Sequence, residues 1–142
     1  MLDRTLAFIK KFIPKSLFKA LQPAYHFTLG YVSALWYGRP SEKMIVVGVT
    51  GTTGKTTVIY LLADILKAAG LKAGYISTAM FSDGEKEWLN DKKMTLPGRF
   101  FTQHLLGRMK KNGCSVAVVE TTSQSVVQFR HRFINYDVLL FT

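Results

Sequence analysis

One cysteine in 142 residues, Cys114, excludes an internal disulfide and any metal site built from clustered thiolates. A reducing, cytoplasmic setting is the expectation. Acid is scarce as well: nine Asp and Glu stand against nineteen Lys and Arg, for a formal charge of +10. So basic a chain favours anionic partners, whether nucleotide phosphates, nucleic acid or an acidic membrane face. Long apolar runs are missing too. The stretch "YHFTLGYVSALWY" (Tyr25–Tyr37) falls short of the ~20 residues that span a bilayer, and it contains His26 and Gly30. Lys10, Lys11, Lys15 and Lys19 interrupt every earlier run before it resembles a secretory signal. There is no internal repeat and no low-complexity tract.

What is present is a globular composition, 48% hydrophobic and 20% charged, in a chain long enough for one domain with a small attachment. Residues 1–43 read as a basic, aromatic helical arm. Leu2, Leu6, Ile9 and Ile13 recur at helical spacing up to Pro14, and a second helix over Ser16–Leu21 is expected to stop at Pro23. The arm either packs on the domain that follows or anchors at a membrane surface, where basic residues beside aromatics are favoured. "YGRPSEK", with Gly38, Pro40 and Ser41, reads as a linker.

From Met44 to Thr142 strands and helices alternate. "MIVVGVT", "KAGYIST", "SVAVVE" and "YDVLLFT" read as strands, the first an unbroken β-branched run suited to burial on both faces. Helices are expected over "TVIYLLADILKAAG", capped by Gly70, over "RFFTQHLLGRMKKNG" after Pro97, and over "SQSVVQFRHR". The "AMFSDGEKEWLND" stretch suits a small hairpin. The fold class is therefore α/β, a P-loop-type parallel sheet with flanking helices preceded by a short helical N-terminal arm.

The first strand enters "TGTTGKTT". A turn through Gly51, Thr52, Thr53 and Gly54 into a helix starting near Thr56 leaves unpaired N–H groups facing one concavity, at the positive end of a helix dipole. That concavity suits the phosphates of ATP. Lys55 would reach the terminal phosphates, the Thr56 hydroxyl would ligate the accompanying Mg²⁺, and Thr57 completes the cradle. The strict P-loop pattern would need glycine at Val49, so this loop is a variant. Glu120 ends a strand on the ligand-side edge of the sheet, where it could reach a metal at Thr56 or could cap the following helix. Arg130 and Arg132, beside His131 on the short helix, are either solvated or placed to grip carboxylates. His104 and Cys114 read as ordinary structural residues.

The variant loop resembles that of the Mur ligase family, which builds the peptide stem of peptidoglycan, and that of its folylpolyglutamate synthase relatives. "MTLPGRFF" is similar to the Thr-Thr-Pro segment of the members that add the third stem residue, with Thr95 retained and Leu96 replacing the second threonine. "VVETTSQSVVQFRHRFINYDVLLFT" is similar to their Glu-Val-Ser-Ser-x-x-Leu-x-Gln-x-Arg segment and the strand that follows, with Gln124 where histidine is common. The resemblance covers Met44 to Thr142. It implies that Glu120 is metal-associated and catalytic together with Lys55, and that Thr95, Thr122, Gln128 and Arg130 contact the acceptor substrate.

By the same resemblance the activity is ATP-dependent amide ligation, with UDP-N-acetylmuramoyl-L-alanyl-D-glutamate as acceptor and an acyl phosphate intermediate. The family's globular uridine-binding domain is not recognisable in residues 1–43. Its histidine-bearing segment, carbamylated lysine and C-terminal domain would lie beyond Thr142. The expectation is a truncated ligase that binds ATP weakly and does not complete the reaction alone. Two other readings stay open: a folyl or polyglutamate ligase, and a membrane-associated nucleotide-binding module without ligase activity. Nucleic acid is not an expected partner, since the basic residues are dispersed and no recognised module is visible.

Overall fold

The computed structural model describes residues 15–92 and 94–142. The expected helix over Leu2–Ile13 lies outside them. Helix α1 runs Lys15–Trp36, and a 3₁₀ turn at Pro40–Lys43 leads into strand β1, Ile45–Thr50. Helix α2 (Lys55–Ala68) and strand β2 (Ala73–Ile76) follow, then β3 (Met80–Ser82) and β4 (Glu87–Leu89). Helix α3 (Arg99–Lys111), strand β5 (Val116–Glu120), helix α4 (Ser123–Val127) and strand β6 (Val138–Phe141) complete the order.

The strands form one sheet in the order β4-β3-β2-β5-β1-β6. The four expected apolar strands pair in parallel, β2 with β5, β5 with β1 and β1 with β6. The Ser-Asp-Gly stretch forms the expected hairpin, but its strands β3 and β4 join the same sheet antiparallel, so the sheet is mixed rather than wholly parallel. A two-residue side-chain period sorts each central strand between two cores. Val46, Ala117 and Val119 face α3 with Phe81, Leu105, Leu106 and Met109. Val47, Val49, Val116 and Val118 face α2 with Ile59 and Tyr75. Burial on both faces is why "IVVGVT" is continuously apolar.

Three expectations are corrected. Pro23 does not end a helix; it lies inside α1. Proline removes one i→i−4 hydrogen bond, a local cost that the continuing helix and its packing on α3 outweigh. The "YGRPSEK" stretch is no loose linker: Pro40 and Ser41 are buried, and Ser41 Oγ accepts from Asn135 N at 3.1 Å. The third correction concerns the helix after Glu120, which is shorter than expected. It stops at Val127, and Phe129 takes a left-handed φ of 54°. Arg130 N then reaches back to Ser125 O and Phe129 N to Val126 O, a Schellman closure that places Arg130 to Arg132 in a turn beyond the helix.

The hairpin is pinned to α3 by Asp83, whose side chain is 1% exposed. Its Oδ1 accepts from the amides of Glu85 (3.0 Å) and Lys86 (2.9 Å), and its Oδ2 pairs with Arg108, whose guanidinium lies 5.2 Å over the Trp88 ring. Cys114 packs beneath, its thiol donating to the Asp83 carbonyl. Burial pushes the Asp83 carboxyl up, yet the Lys86 and Glu85 amides and the Arg108 guanidinium outweigh it and hold it below the usual carboxylate range. Asp83→Ala is expected to lower stability by about 2 kcal/mol at neutral pH, since it strands two amides and one guanidinium. Because the folded-state pKa is the depressed one, the stabilisation is whole above the ordinary value of 3.8 and is lost as pH falls through the folded value. Urea denaturation of both proteins across pH 2–7 checks this: the gap between them should close at the acid end.

Candidate functional site

The carboxyl ends of β1, β2 and β5 open on one edge of the sheet, and the expected residues collect there. Val49 is fully buried in β1, so the bend begins only at Gly51. Gly51 has φ 137°, and a Cβ there would sit 2.0 Å from the Thr142 carbonyl oxygen. Gly54 has φ 76°, the left-handed region that glycine enters without steric cost, and it is the N-cap of α2 with no side chain capping the helix. The first-turn amides of Lys55, Thr56 and Thr57 therefore have no carbonyl one turn earlier and no side-chain acceptor. Lys55 Nζ curls onto the same loop, donating to Gly51 O (2.9 Å) and Thr52 O (3.4 Å). Thr52 and Thr53 are exposed at its tip. Thr52 N donates to Thr142 O, and the Thr142 hydroxyl donates to Thr53 O, so β6 braces the loop from the far side.

Glu120 is 2% exposed at the end of β5. It does not cap α4. That helix is closed by Thr122, whose Oγ1 accepts from Ser125 N while Ser125 Oγ accepts from Thr122 N. The Glu120 carboxylate instead accepts from Thr56 Oγ1 at 3.3 Å, from the Thr78 amide at 2.7 Å and from the Thr78 hydroxyl at 2.9 Å. Thr78 Oγ1 is also 2.9 Å from Thr95 Oγ1. A carboxylate oxygen only accepts, so the single Thr78 proton serves Glu120 and the Thr95 hydroxyl supplies the next donor. A continuous relay thus runs Thr56–Glu120–Thr78–Thr95. Sequence reasoning missed Thr78; its position at the end of the "KAGYIST" strand was the available signal.

Thr95 lines a depression of about 160 Å³ together with Met94, Leu96, Thr122, Gln124, Ser125, Gln128 and Arg130. All four residues expected to contact an acceptor, Thr95, Thr122, Gln128 and Arg130, thus share one concavity. Leu96, in place of a hydroxyl, turns its side chain into the core (2% exposed), and its carbonyl accepts from Arg130 Nη1 at 2.7 Å. His104 stands apart, edge-on to Tyr37 with ring centroids 5.5 Å apart.

The donor set near the loop fits Mg²⁺. A hard divalent ion takes oxygen ligands and keeps waters and phosphates, so it needs few protein groups. The Thr56 hydroxyl and the Glu120 carboxylate are such a pair. No cluster of three or more His, Cys, Asp or Glu that could form an all-protein cage occurs among the described residues.

Residues 49–142 match the family described as Mur ligase middle domain. The chain is 38% identical over 122 residues to the UDP-N-acetylmuramyl-tripeptide synthetase of Roseiflexus sp. (strain RS-1), covering 84% of this chain and 24% of that protein. It is 38% identical over 115 residues to the UDP-N-acetylmuramoyl-L-alanyl-D-glutamate–2,6-diaminopimelate ligase of Parabacteroides distasonis (strain ATCC 8503), covering 80% of this chain and 23% of the relative. It thus spans about a quarter of the length of these curated relatives. The solved structure of a ligase with the latter name superposes with a TM-score of 0.59 at 22% identity, over 69% of this chain and 19% of that one, which supports the shared fold.

The two loop glycines separate a conformational cost from a steric one. Gly54→Ala should lose about 1 kcal/mol, because nothing lies within 4 Å of the added methyl and only the left-handed backbone is penalised. Gly51→Ala should lose clearly more, because the methyl collides with Thr142, the residue after β6. Equal losses in urea denaturation would remove the assigned brace.

Proposed function

Since the chain belongs to the Mur ligase family, we propose that it is the nucleotide-binding part of an ATP-dependent amide ligase acting on a UDP-N-acetylmuramoyl peptide precursor of peptidoglycan, in the cytoplasm. The observation that carries this reading is the relay Thr56–Glu120–Thr78–Thr95, which joins a phosphate-type cradle to a depression lined by hydroxyls, amides and a guanidinium. Two substrates that must exchange a phosphoryl group need neighbouring sites. The names of the relatives favour a muramyl acceptor over a folyl one, and UDP-N-acetylmuramoyl-L-alanyl-D-glutamate is the acceptor we assign.

In this scheme Gly51 to Thr57 receive the triphosphate: the first-turn amides of α2 donate to its oxygens, and the Lys55 ammonium neutralises the terminal charge. Bound Mg²⁺ would supply charge neutralisation between the phosphates, held by Thr56 with Glu120 behind it. Thr95, Thr122, Gln128 and Arg130 would hold the acceptor so that its carboxylate oxygen lies in line with the γ-phosphorus. That oxygen attacks, the bond to the β,γ-bridging oxygen breaks, and ADP leaves. The amine of the incoming amino acid then attacks the acyl carbon, phosphate departs, and the nitrogen gives up a proton. Catalysis by these residues is positioning and charge neutralisation, with no covalent role for the protein.

Lys55→Ala is expected to abolish binding of a non-hydrolysable ATP analogue, measured by titration calorimetry with Mg²⁺, while leaving the far-UV circular dichroism unchanged. An unchanged affinity would count against the cradle. Glu120→Gln keeps the shape of the relay but removes its charge. It should weaken the Mg²⁺ dependence of nucleotide binding by about tenfold, the scale of one lost charge-assisted contact.

A further inference from the structure

The chain segregates its charges. Residues 15–41, 94–119 and 121–136 contain neither Asp nor Glu. These segments meet beside the depression, where α1 packs on α3 and the Phe133 ring packs against Phe27 and Tyr31 of α1. Arg99 leaves the first turn of α3 and lays its stem on α1 at Gly30, where a Cβ would sit 3.5 Å from its Cδ. Its Nη2 then donates to the Gln128 carbonyl, in the wall of the depression. His26 lies one helical turn before Gly30, on the same face of α1.

Arg99 Nε and His26 Nδ1 are buried with no hydrogen-bond partner among the described residues. Arg130 crowds them. Burial first, then the Arg130 charge, draws the Arg99 guanidinium below its ordinary pKa, and burial, then Arg99 and Arg130, does the same to the His26 imidazole. Among the described residues no ion pair involves Arg99, Arg130 or Arg132. Arg132 is engaged otherwise, its guanidinium 5.6 Å from the Phe27 ring and 5.0 Å from the Phe129 ring. A solvated basic face would leave its nitrogens in water. Here they are partly desolvated and held by main-chain carbonyls, an arrangement that like charges disfavour unless an anion joins them.

We propose that Arg99, Arg130 and His26 form a subsite for a phosphate-type oxyanion at the rim of the depression, where it receives a phosphoryl group carried by the acceptor substrate. Donors carried by α1, α3 and the turn after α4, with no carboxylate on any of the three, suit an anion that presents oxygens on several sides, as a tetrahedral phosphate does. The assignment to the acceptor rests on the function proposed above, whereas the binding of phosphate does not.

Inorganic pyrophosphate is the probe, and Lys55→Ala is the background, because it silences the glycine cradle. In that background pyrophosphate should still bind, and it should shift the backbone amide resonances of Arg99 to Thr102 and of Gln128 to Phe133. Adding Arg99→Gln should weaken binding by about tenfold or more, and Arg99→Lys should restore part of it. Arg39→Gln, outside the cluster, should change nothing. Loss of all pyrophosphate binding in Lys55→Ala alone, or shifts confined to Gly51 to Thr57, would overturn the subsite. If Arg99→Gln does not fold, the amide shifts of the unsubstituted protein decide the same question. Flotation on phosphatidylglycerol vesicles that depended on Arg99 would place the phosphate in a lipid headgroup and overturn its assignment to the acceptor. A failed ATP-analogue titration with intact pyrophosphate binding would sink only the nucleotide cradle.

Discussion

The carboxylate of Glu120 is the point on which the site depends. Buried at the end of a central parallel strand, a charged group is tolerated only when donors surround it, and here a threonine amide and two threonine hydroxyls do so. Those donors come from α2 and from the segment after β2, so one side chain ties the glycine loop to the far wall of the edge cleft. Its place follows from backbone register. Glu120 pairs with Val49 across the ladder, which sets it one residue short of the point where β1 gives way to the loop. A carboxylate two residues earlier would be enclosed between strands and out of reach of any ligand.

The second organising feature is the uneven distribution of acid. Three carboxylates, Asp83, Glu85 and Glu87, sit on one hairpin at the sheet edge, where Asp83 holds the turn. The lobe formed by α1, α3 and the turn after α4 has none. Aromatic faces and main-chain carbonyls hold Arg99, Arg130 and Arg132 in place. Cation–π contacts on Phe27 and Phe129 and a carbonyl acceptor at Leu96 can fix a guanidinium, but they cannot neutralise it. The lobe therefore keeps an uncompensated positive potential next to a concavity that already offers hydroxyls and amides. The left-handed Phe129 belongs to the same construction, because the chain must reverse there for Arg130 to point back at Leu96.

Most of this architecture could be read from the linear chain where a strong local rule applied. Apolar strand-like runs alternating with helix-like segments predicted the four parallel strands, and a glycine-lysine-threonine turn after the first of them marked the loop. Reading failed where a tertiary contact outweighed local preference. Pro23 stays helical because it lies inside a longer helix that packs on α3. Pro40 and Ser41 are buried because Asn135 supplies a hydrogen bond from far along the chain. The helix after Thr122 ends early because its closure uses a non-glycine left-handed residue, which carries no compositional signature. Thr78 carried only a positional signal, the end of a parallel strand, and its residue type added none.

The linear order alone determined which residues could serve a phosphate: the glycines, the lysine and the threonines are contiguous, and a strand-turn-helix unit needs no distant partner to aim its amides. Tertiary structure alone decided what that unit works with. Glu120, Thr78, Thr95 and Arg130 lie far apart in the chain and meet only because parallel strands deliver their carboxyl ends to one edge. The Arg99–Arg130–His26 cluster likewise exists only where α1 packs on α3 and brings together side chains that no local pattern links. Pairing between distant segments is set by sheet register and packing, and neither is encoded within any single window of residues.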